Sequence, residues 1–171
     1  MVDMLDPHSM SVGCEGGFNV SYEFFKGRNV TRRQWLTGNL LRVWPGNSRF
    51  KPGQLFRMPH YYYDMRCFSL YDNTDLRLQD VNIWSTPGFA ITTGRCRRLE
   101  LIRTNIVRPP GSKRPITCTA DHVNVKDSYG DFKMVDCEIS FGNDDCLDIH
   151  DNSAFGVKSG ERSVTVQRIP A

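Results

Sequence analysis

Long apolar runs, cysteine pairs and dense basic stretches are all missing from this chain of 171 residues. Because no run of about 18 apolar residues occurs, no membrane span is expected. The six cysteines include no Cys-x-x-Cys pair, which argues against a zinc site and favours reduced core thiols, with disulfides as the open alternative. The net charge is +3 and the basic residues are scattered, whereas a nucleic-acid-binding chain more often has a concentrated basic face. We therefore expect no metal, no nucleic acid and no membrane as partners.

A repeat of strand-like segments runs through the second half of the chain. Four segments share apolar or small residues at relative positions 1, 3 and 8: LRLQDVNI (76–83), LELIRTNI (99–106), FKMVDCEI (132–139) and VTVQRIPA (164–171). Positions 1 and 3 alternate as in a strand, and the jump to position 6 breaks the period of two, as a corner between short strands does. β-branched residues dominate, and Gly and Pro interrupt the segments too often for helices. The repeat therefore predicts an all-β fold.

The spacing of the segments predicts how they stack. They begin at residues 76, 99, 132 and 164, which fits a coil of about 23 residues with about 10 extra residues in two loops. The extra residues are predicted at two turn-rich stretches, PPGSKRP (109–115) and DNSAFGVKSG (151–160). A second set of short strands is expected at FSLY (68–71), GFAIT (88–92), HVNVK (122–126) and CLDIH (146–150). Several short strands per coil are typical of a parallel β-helix, and the usual crossover preference makes it right-handed.

We expect two parts along the chain. Residues 67–171 form the coils, and residues 1–66 form an irregular segment that caps them, because they lack the coil pattern. The capping segment is rich in aromatic residues, among them Phe24, Phe25, Trp35, Trp44 and Tyr61–Tyr63. The last segment runs to Ala171 with nothing that resembles a cap, so we expect part of a longer solenoid.

Stacked coils place equivalent residues in ladders. The expected inward ladders are apolar: Val123 over Leu147, Val125 over Ile149, Leu99 over Phe132 and Leu101 over Met134. The expected outward ladders are polar: Asp121 over Asp145, Asn124 over Asp148 and Lys126 over His150. The register of GFAIT against these strands is ambiguous by one residue.

Three aspartates at one end of the outward ladders carry the expected chemistry. Asp121, Asp144 and Asp145 are the candidate catalytic residues, because close carboxylates resist joint ionisation and raise the pKa of at least one of them. Hydrolysis of a glycoside needs one protonated carboxyl for the leaving oxygen and one carboxylate that activates water. The polar positions beside them are candidate sugar-binding residues: Asn124, Lys126, Asp148 and His150. A structural role is the alternative, since an aspartate before a strand often satisfies loop amides.

A family resemblance rests on the same residues. TADHVN (119–124) and GNDDCLDIHD (142–151) resemble the pectate-lyase-like right-handed β-helix glycosidases. The match is closer to the bacterial α-1,3-galactosidases, which remove terminal galactose from blood-group B-type and linear B glycans, than to the polygalacturonases. The galactosidase pattern is a Thr-x-Ala-Asp segment followed by an Asp-Asp pair that runs into an Asn-Val/Ile-His-Gly strand. Its order is followed here, over about residues 65–151, by STPGFAI (85–91), PPGSKRPITCTAD (109–121) and DDCLDIHD (144–151).

The resemblance implies inverting, metal-independent hydrolysis of terminal α-galactosides without a cofactor. It implies Asp144 as the acid, with Asp121 and Asp145 activating water. It also implies a secreted or periplasmic protein, although MVDMLDPHSM at the start shows no signal-peptide pattern. The chain departs from the family pattern at Asn143, where glycine is usual, at Asp148, where asparagine is common, and at Asp151, which replaces the glycine after the histidine.

Two other functions are open. One is a non-catalytic β-helix, such as a carbohydrate-binding or phage tail-spike segment, whose aspartates only cap strands. The other is a polysaccharide lyase in which aspartates hold Ca²⁺ and a basic residue such as Lys126 abstracts a proton. The expected partner of the preferred function is a glycan, and the sequence does not indicate an oligomeric state.

Overall fold

The computed structural model describes residues 2–13, 15–20, 30–45, 49–58, 62–152 and 154–167. Within these residues the fold is all-β, as the repeat predicts, and contains no helix. The strands are β1 (Val2–Leu5), β2 (Asn19–Val20), β3 (Val30–Trp35), β4 (Leu41–Pro45), β5 (Leu55–Arg57), β6 (Met65–Tyr71), β7 (Thr74–Gln79), β8 (Asn82–Ile83), β9 (Gly88–Gly94), β10 (Arg97–Ile102), β11 (Asn105–Ile106), β12 (Val123–Lys126), β13 (Tyr129–Val135), β14 (Leu147–His150), β15 (Phe155–Gly160) and β16 (Ser163–Gln167).

Strands β6 to β14 form three parallel sheets. The first sheet has the order β14-β12-β9-β6, the second β13-β10-β7 and the third β11-β8. A parallel bridge between Ile106 and Ile139 carries the third sheet one repeat further. Parallel neighbours need a connection that returns the chain to the same end of the sheet. Here the connection is made by strands of the other two sheets, because successive strands along the chain lie in the three sheets in turn.

The stacking register agrees with the predicted ladders. The observed pairs in the first sheet are Val123 with Leu147, Asn124 with Asp148, Val125 with Ile149 and Lys126 with His150. The observed pairs in the second sheet include Leu99 with Phe132 and Leu101 with Met134. The ambiguous GFAIT strand is now placed, because Ile91 pairs with Val123 and Thr93 with Val125.

The hydrophobic core lies between the three sheets. Ile91, Leu101, Ile106 and Val123 are fully buried within it, and partly buried side chains such as Phe68 pack against them. Burial of this kind stabilises a fold by about 1.5–3 kcal/mol for each large apolar side chain. The apolar residues of the edge strand β14 stay exposed, since among the described residues no further strand covers them.

Left-handed backbone conformations occur at the corners between strands and near the starts of strands β7 and β10. Three aspartates in the repeat of β6 to β8 and three arginines in the repeat of β9 to β11 have φ between 45° and 58°: Asp72, Asp75, Asp80, Arg95, Arg98 and Arg103. Each arginine donates to the aspartate 23 residues before it, which is one repeat. These pairs are exposed, so solvent screens them and they add little stability. Their consequence is geometric, because opposite charges at equivalent corners favour one stacking register.

The fourth repeat segment does not continue the stack. Ser163–Gln167 (β16) pairs antiparallel with Phe155–Gly160 (β15), so the prediction that 164–171 forms another coil is wrong for the part described. Residues 168–171 lie outside the described residues. The alternation of VTVQ fits an antiparallel hairpin as well as a parallel coil, because both have a side-chain period of two. The stretch predicted as a loop insertion, 151–160, supplies the first strand of this hairpin.

The region before the parallel sheets contains two antiparallel units. One has the order β2-β1-β5, and the other is the hairpin of β3 and β4. Phe18, Phe50 and Phe56 pack against one another there, with ring centroids 5.3–5.6 Å apart. The aromatic residues Phe24, Phe25 and Tyr61 lie outside the described residues.

The described cysteines are free thiols, and Cys14 lies outside the described residues. Cys96 and Cys118 are buried, as expected of core thiols, whereas Cys67 and Cys146 are exposed. The exposure of Cys146 contradicts the expectation that it lies in the core, because it directly precedes the edge strand β14. In the part of the chain that the structure describes, no helix is long and apolar enough to cross a membrane.

Candidate functional site

Asp121 lies just before β12, where the chain bends. His122 and Val123 are both buried, although neighbouring residues of a regular strand face opposite sides. The bend lets both side chains enter the interior and leaves the Asp121 carboxyl near the surface, where the residue is 7% exposed. Oδ2 of Asp121 accepts a hydrogen bond of 2.8 Å from Nδ2 of Asn124.

Asp144 and Asp145 come from the next repeat. They lie in the loop that leads into β14, and both are exposed. One carboxylate oxygen from each of Asp121, Asp144 and Asp145 lies within 4.8 Å of the other two. The structure therefore brings the three predicted catalytic aspartates together. We call these three residues the aspartate cluster.

His122 anchors the loop that carries the aspartate pair. The carbonyl oxygen of Asp145 accepts a hydrogen bond of 2.9 Å from the His122 backbone amide and lies 3.4 Å from Nδ1 of the ring. Nε2 of the ring lies 3.2 Å from both the Ser140 carbonyl oxygen and Oγ1 of Thr117. Burial lowers the pKa of His122, although the two carbonyl groups and the Asp121 charge oppose this shift. The buried ring thus supports the loop from within the core.

Two more residues hold the same loop. The guanidinium of Arg57, from the amino-terminal unit, donates to the Gly142 carbonyl oxygen over 3.0 Å and forms a buried ion pair with Asp3. The backbone amide of Asn143 donates to the Cys118 carbonyl over 3.1 Å, and its side chain donates to the Thr119 carbonyl over 3.4 Å. Asn143, where the family pattern has glycine, therefore ties the loop to the segment that leads into β12.

The predicted sugar-binding residues follow the outward face of β12 and β14. Nδ2 of Asn124 donates to Asp148 over 3.1 Å as well as to Asp121, and Nδ1 of His150 lies 3.0 Å from Oδ2 of Asp148. Asn124, Asp148 and His150 thus extend from the aspartate cluster as one polar network. Lys126 pairs with His150 in the register, about 6.6 Å farther along the strand than Asn124. Lys126 is therefore at the outer end of this face.

The environment of Asp121 differs from that of its two partners. Burial raises the pKa of the Asp121 carboxyl, and the negative charges of Asp144, Asp148 and Asp145 raise it further, while the hydrogen bond from Asn124 acts in the opposite direction. A carboxyl with a raised pKa retains its proton to higher pH. The cluster thus joins one buried carboxyl, whose pKa is raised, to two exposed ones.

Tyr63 is a neighbour of the aspartate cluster that the repeat pattern does not reveal. Its ring stacks on Phe89 with centroids 5.2 Å apart, and Oγ1 of Thr119 donates to the Tyr62 carbonyl over 3.1 Å. Partial burial, the charges of Asp144 and Asp121, and a hydrogen bond to Asp144 raise the pKa of the Tyr63 hydroxyl. The only sequence signal is the run of tyrosines at 61–63, in a region without the coil period.

A charged groove lies elsewhere, on the second sheet. It is lined by Asp75, Leu76, Arg77, Arg98, Glu100, Asp131 and Lys133. Its charges largely satisfy one another, since Glu100 pairs with Arg77 and Lys133 and Asp75 pairs with Arg98. The aspartate cluster, in which like charges lie close together, is therefore the stronger candidate site.

No family model matches the chain, and no curated protein matches it. Functional inference therefore rests on the site itself and on the motif resemblance.

Proposed function

We propose that this protein is a glycoside hydrolase, built on a right-handed parallel β-helix, that removes terminal α-linked galactose from glycans. The observation that carries the proposal is the aspartate cluster, in which one buried carboxyl and two exposed carboxyls lie within 4.8 Å of one another. Unequal environments for neighbouring carboxyls supply both an acid and a base at one pH. The choice of galactose rests on the motif resemblance, and the handedness on the crossover preference.

The chemistry assigns Asp121 as the proton donor. Its raised pKa lets the Asp121 carboxyl hold a proton to higher pH than an ordinary aspartate, and general acid catalysis would pass such a proton to the leaving oxygen of the glycoside. Asp144 and Asp145, which face solvent, then activate the attacking water. This assignment differs from the one implied by the resemblance, in which Asp144 is the acid. Burial is the reason for preferring Asp121, because it penalises the charged form of that carboxyl.

The stereochemical outcome is an independent part of the proposal. The resemblance implies inversion, for which carboxyl separations of about 6.5–9.5 Å are usual, whereas retaining enzymes have about 5–5.5 Å. The nearest oxygens of the cluster lie within 4.8 Å of one another, which is closer than the usual separation for inversion and nearer to that of retaining enzymes. We propose inversion on the strength of the resemblance alone, with Asp144 and Asp145 activating the attacking water. Proton NMR of the first sugar released from an α-galactoside tests it, since β-galactose means inversion and α-galactose means retention.

A cation-dependent function is the second candidate, and the same oxygen separations favour it. Calcium binds carboxylate oxygens at about 2.3–2.6 Å, so two oxygens on one ion lie up to about 5 Å apart. A Ca²⁺-dependent polysaccharide lyase would use the aspartates as ligands and a base such as Lys126. Hydrolysis that persists in EDTA supports the metal-independent glycosidase. Activity that disappears in EDTA and returns with Ca²⁺ supports the lyase.

Initial rates on 4-nitrophenyl α-D-galactopyranoside test the proposal. The wild-type chain is compared with Asp145→Asn and with Asp136→Asn, which removes an exposed carboxylate outside the cluster. We expect Asp145→Asn to lose at least about 100-fold of the rate, because general base catalysis contributes about that much, and Asp136→Asn to retain it. Equal rates in all three chains would rule out the cluster as the catalytic site and favour a structural role for its aspartates.

A further inference from the structure

We propose that Tyr63 is the sugar platform of the site, and that its ring binds the apolar face of a galactose residue held at the aspartate cluster. The proposal rests on the function proposed above and names a specificity-determining residue for it. Tyr63 lies in the segment before β6, outside every motif of the repeat and of the resemblance.

The position of the ring supports this role. The Tyr63 ring stacks on the ring of Phe89 at an interplanar angle of 26°. The centroid of the Tyr62 ring lies 5.9 Å from that of Tyr63. Despite these contacts the residue is 60% exposed. An aromatic ring that is supported from behind and open to solvent in front is a flat, rigid surface for a ligand.

The hydroxyl fixes where that surface points. It lies close enough to Asp144 and Asp121 for the charges of both carboxylates to raise its pKa. The Tyr62 carbonyl accepts from Thr119, two residues before Asp121, so the backbone of this segment is tied to the same strand entrance. The ring therefore borders the carboxyls that would act on the glycosidic bond.

The chemistry of galactose matches such a surface. Because its hydroxyl at C4 is axial, the hydrogens on C3, C4 and C5 share one face of the ring and form an apolar patch. Aromatic faces carry partial negative charge and attract the weakly positive hydrogens of such a patch. In glucose the C4 hydroxyl is equatorial and this patch is not formed in the same way. The platform thus favours a galactose-configured sugar over a glucose-configured one.

The platform is tested by comparing the kinetics of the wild type with those of three variants, Tyr63→Phe, Tyr63→Leu and Tyr129→Ala. Tyr129 is 62% exposed and lies on β13, so its loss is a matched control for an exposed tyrosine. On 4-nitrophenyl α-D-galactopyranoside we expect Tyr63→Leu to raise KM by at least about fivefold, since an aromatic contact is replaced by an aliphatic one. Tyr63→Phe retains the ring, so its KM should stay near that of the wild type, and Tyr129→Ala should not change KM.

A binding measurement separates this inference from the proposed function. Saturation-transfer NMR with methyl α-D-galactopyranoside on the wild-type and Tyr63→Leu chains needs no turnover. The inference predicts that the hydrogens on C3, C4 and C5 receive the strongest saturation and lose it in Tyr63→Leu. This result supports the platform even where no hydrolysis occurs. Hydrolysis with an unchanged KM and an unchanged saturation pattern in Tyr63→Leu overturns the platform and leaves the glycosidase standing, and the absence of sugar binding by the wild-type chain overturns the platform as well.

Discussion

The backbone at Gly142 passes directly over the imidazole of His122. A Cβ atom at position 142 would lie 2.0 Å from Cε1 of that ring and 2.7 Å from Nδ1. Such separations are far below van der Waals contact, so only glycine fits. Because the His122 amide also donates to the Asp145 carbonyl, the close approach links Gly142 to the backbone of the aspartate pair.

Gly142→Ala should therefore displace the pair without removing a catalytic group. We expect kcat/KM to fall by about 100-fold, since misplacement of about 1 Å can cost that much, and stability to fall by about 1–3 kcal/mol from overpacking. Gly160→Ala is the control, because a Cβ there meets only Ser163 at 3.6 Å. Rates and urea unfolding of both variants check this. Equal activity in the two variants would show that the close approach does not position the pair.

Asp121→Asn should stabilise the protein while it removes activity. The folded-state pKa of Asp121 is raised, first by burial, so the protonated carboxyl favours the folded state. That stabilising contribution is present below the ordinary Asp pKa and is lost as pH rises through the raised folded-state pKa. Asparagine keeps an acceptor for Asn124 and never ionises. Urea unfolding of both chains across acidic and neutral pH should show an advantage for Asp121→Asn at neutral pH that shrinks on acidification. An advantage that does not depend on pH would contradict the raised pKa.

The same raised pKa predicts the pH dependence of the rate. As the proposed proton donor, Asp121 would have to be protonated, so kcat/KM should fall as pH rises through its raised pKa. The ordinary Asp pKa is about 3.9, and the alkaline limb should lie above that value. A pH–rate profile of the wild-type chain measures it. A rate that does not change with pH through the acidic and neutral range would show that Asp121 is not the acid.

Arg57 links the amino-terminal unit to the site loop, and its loss should affect both stability and rate. Arg57→Ala leaves Asp3 as an unpaired buried charge, which costs about 3–5 kcal/mol, and it frees the Gly142 carbonyl. Arg95→Ala is the matched control, since it removes an exposed arginine that pairs with Asp72. Chemical denaturation should show a large loss for Arg57→Ala and a small one for Arg95→Ala. Similar losses for the two would mean that Arg57 is not the buried anchor described.

The loss of stability on removing an apolar side chain should depend on the position of that side chain in the stack of strands. Leu101 is fully buried between Leu78 and Met134, whereas Leu147, on the edge strand, is 40% exposed. Leu101→Ala should cost about 2–5 kcal/mol, and Leu147→Ala clearly less. Unfolding free energies of the two variants check this, and a larger cost at Leu147 would place a covering element over β14.

The sequence predicts those parts of the site that share the repeat period. Asp121 and Asp145 are one repeat apart, so the stacking that pairs Val123 with Leu147 also brings the two carboxylates together. Tyr63 could not be predicted in this way. Its contact with Phe89 depends on how a non-periodic segment packs, and no spacing encodes that packing. The hairpin of β15 and β16 could not be predicted for a related reason, because alternation alone does not distinguish antiparallel from parallel partners.

The most direct test of the central claim compares two leaving groups. Kinetics of wild type and Asp121→Asn are measured on methyl α-D-galactopyranoside and on 2,4-dinitrophenyl α-D-galactopyranoside. A proton donor matters for the poor alkoxide leaving group and little for dinitrophenolate. We therefore predict that Asp121→Asn loses at least about 100-fold of kcat/KM on the methyl glycoside and far less on the dinitrophenyl glycoside. Equal losses on both substrates, or a wild-type chain that hydrolyses neither, would contradict the account.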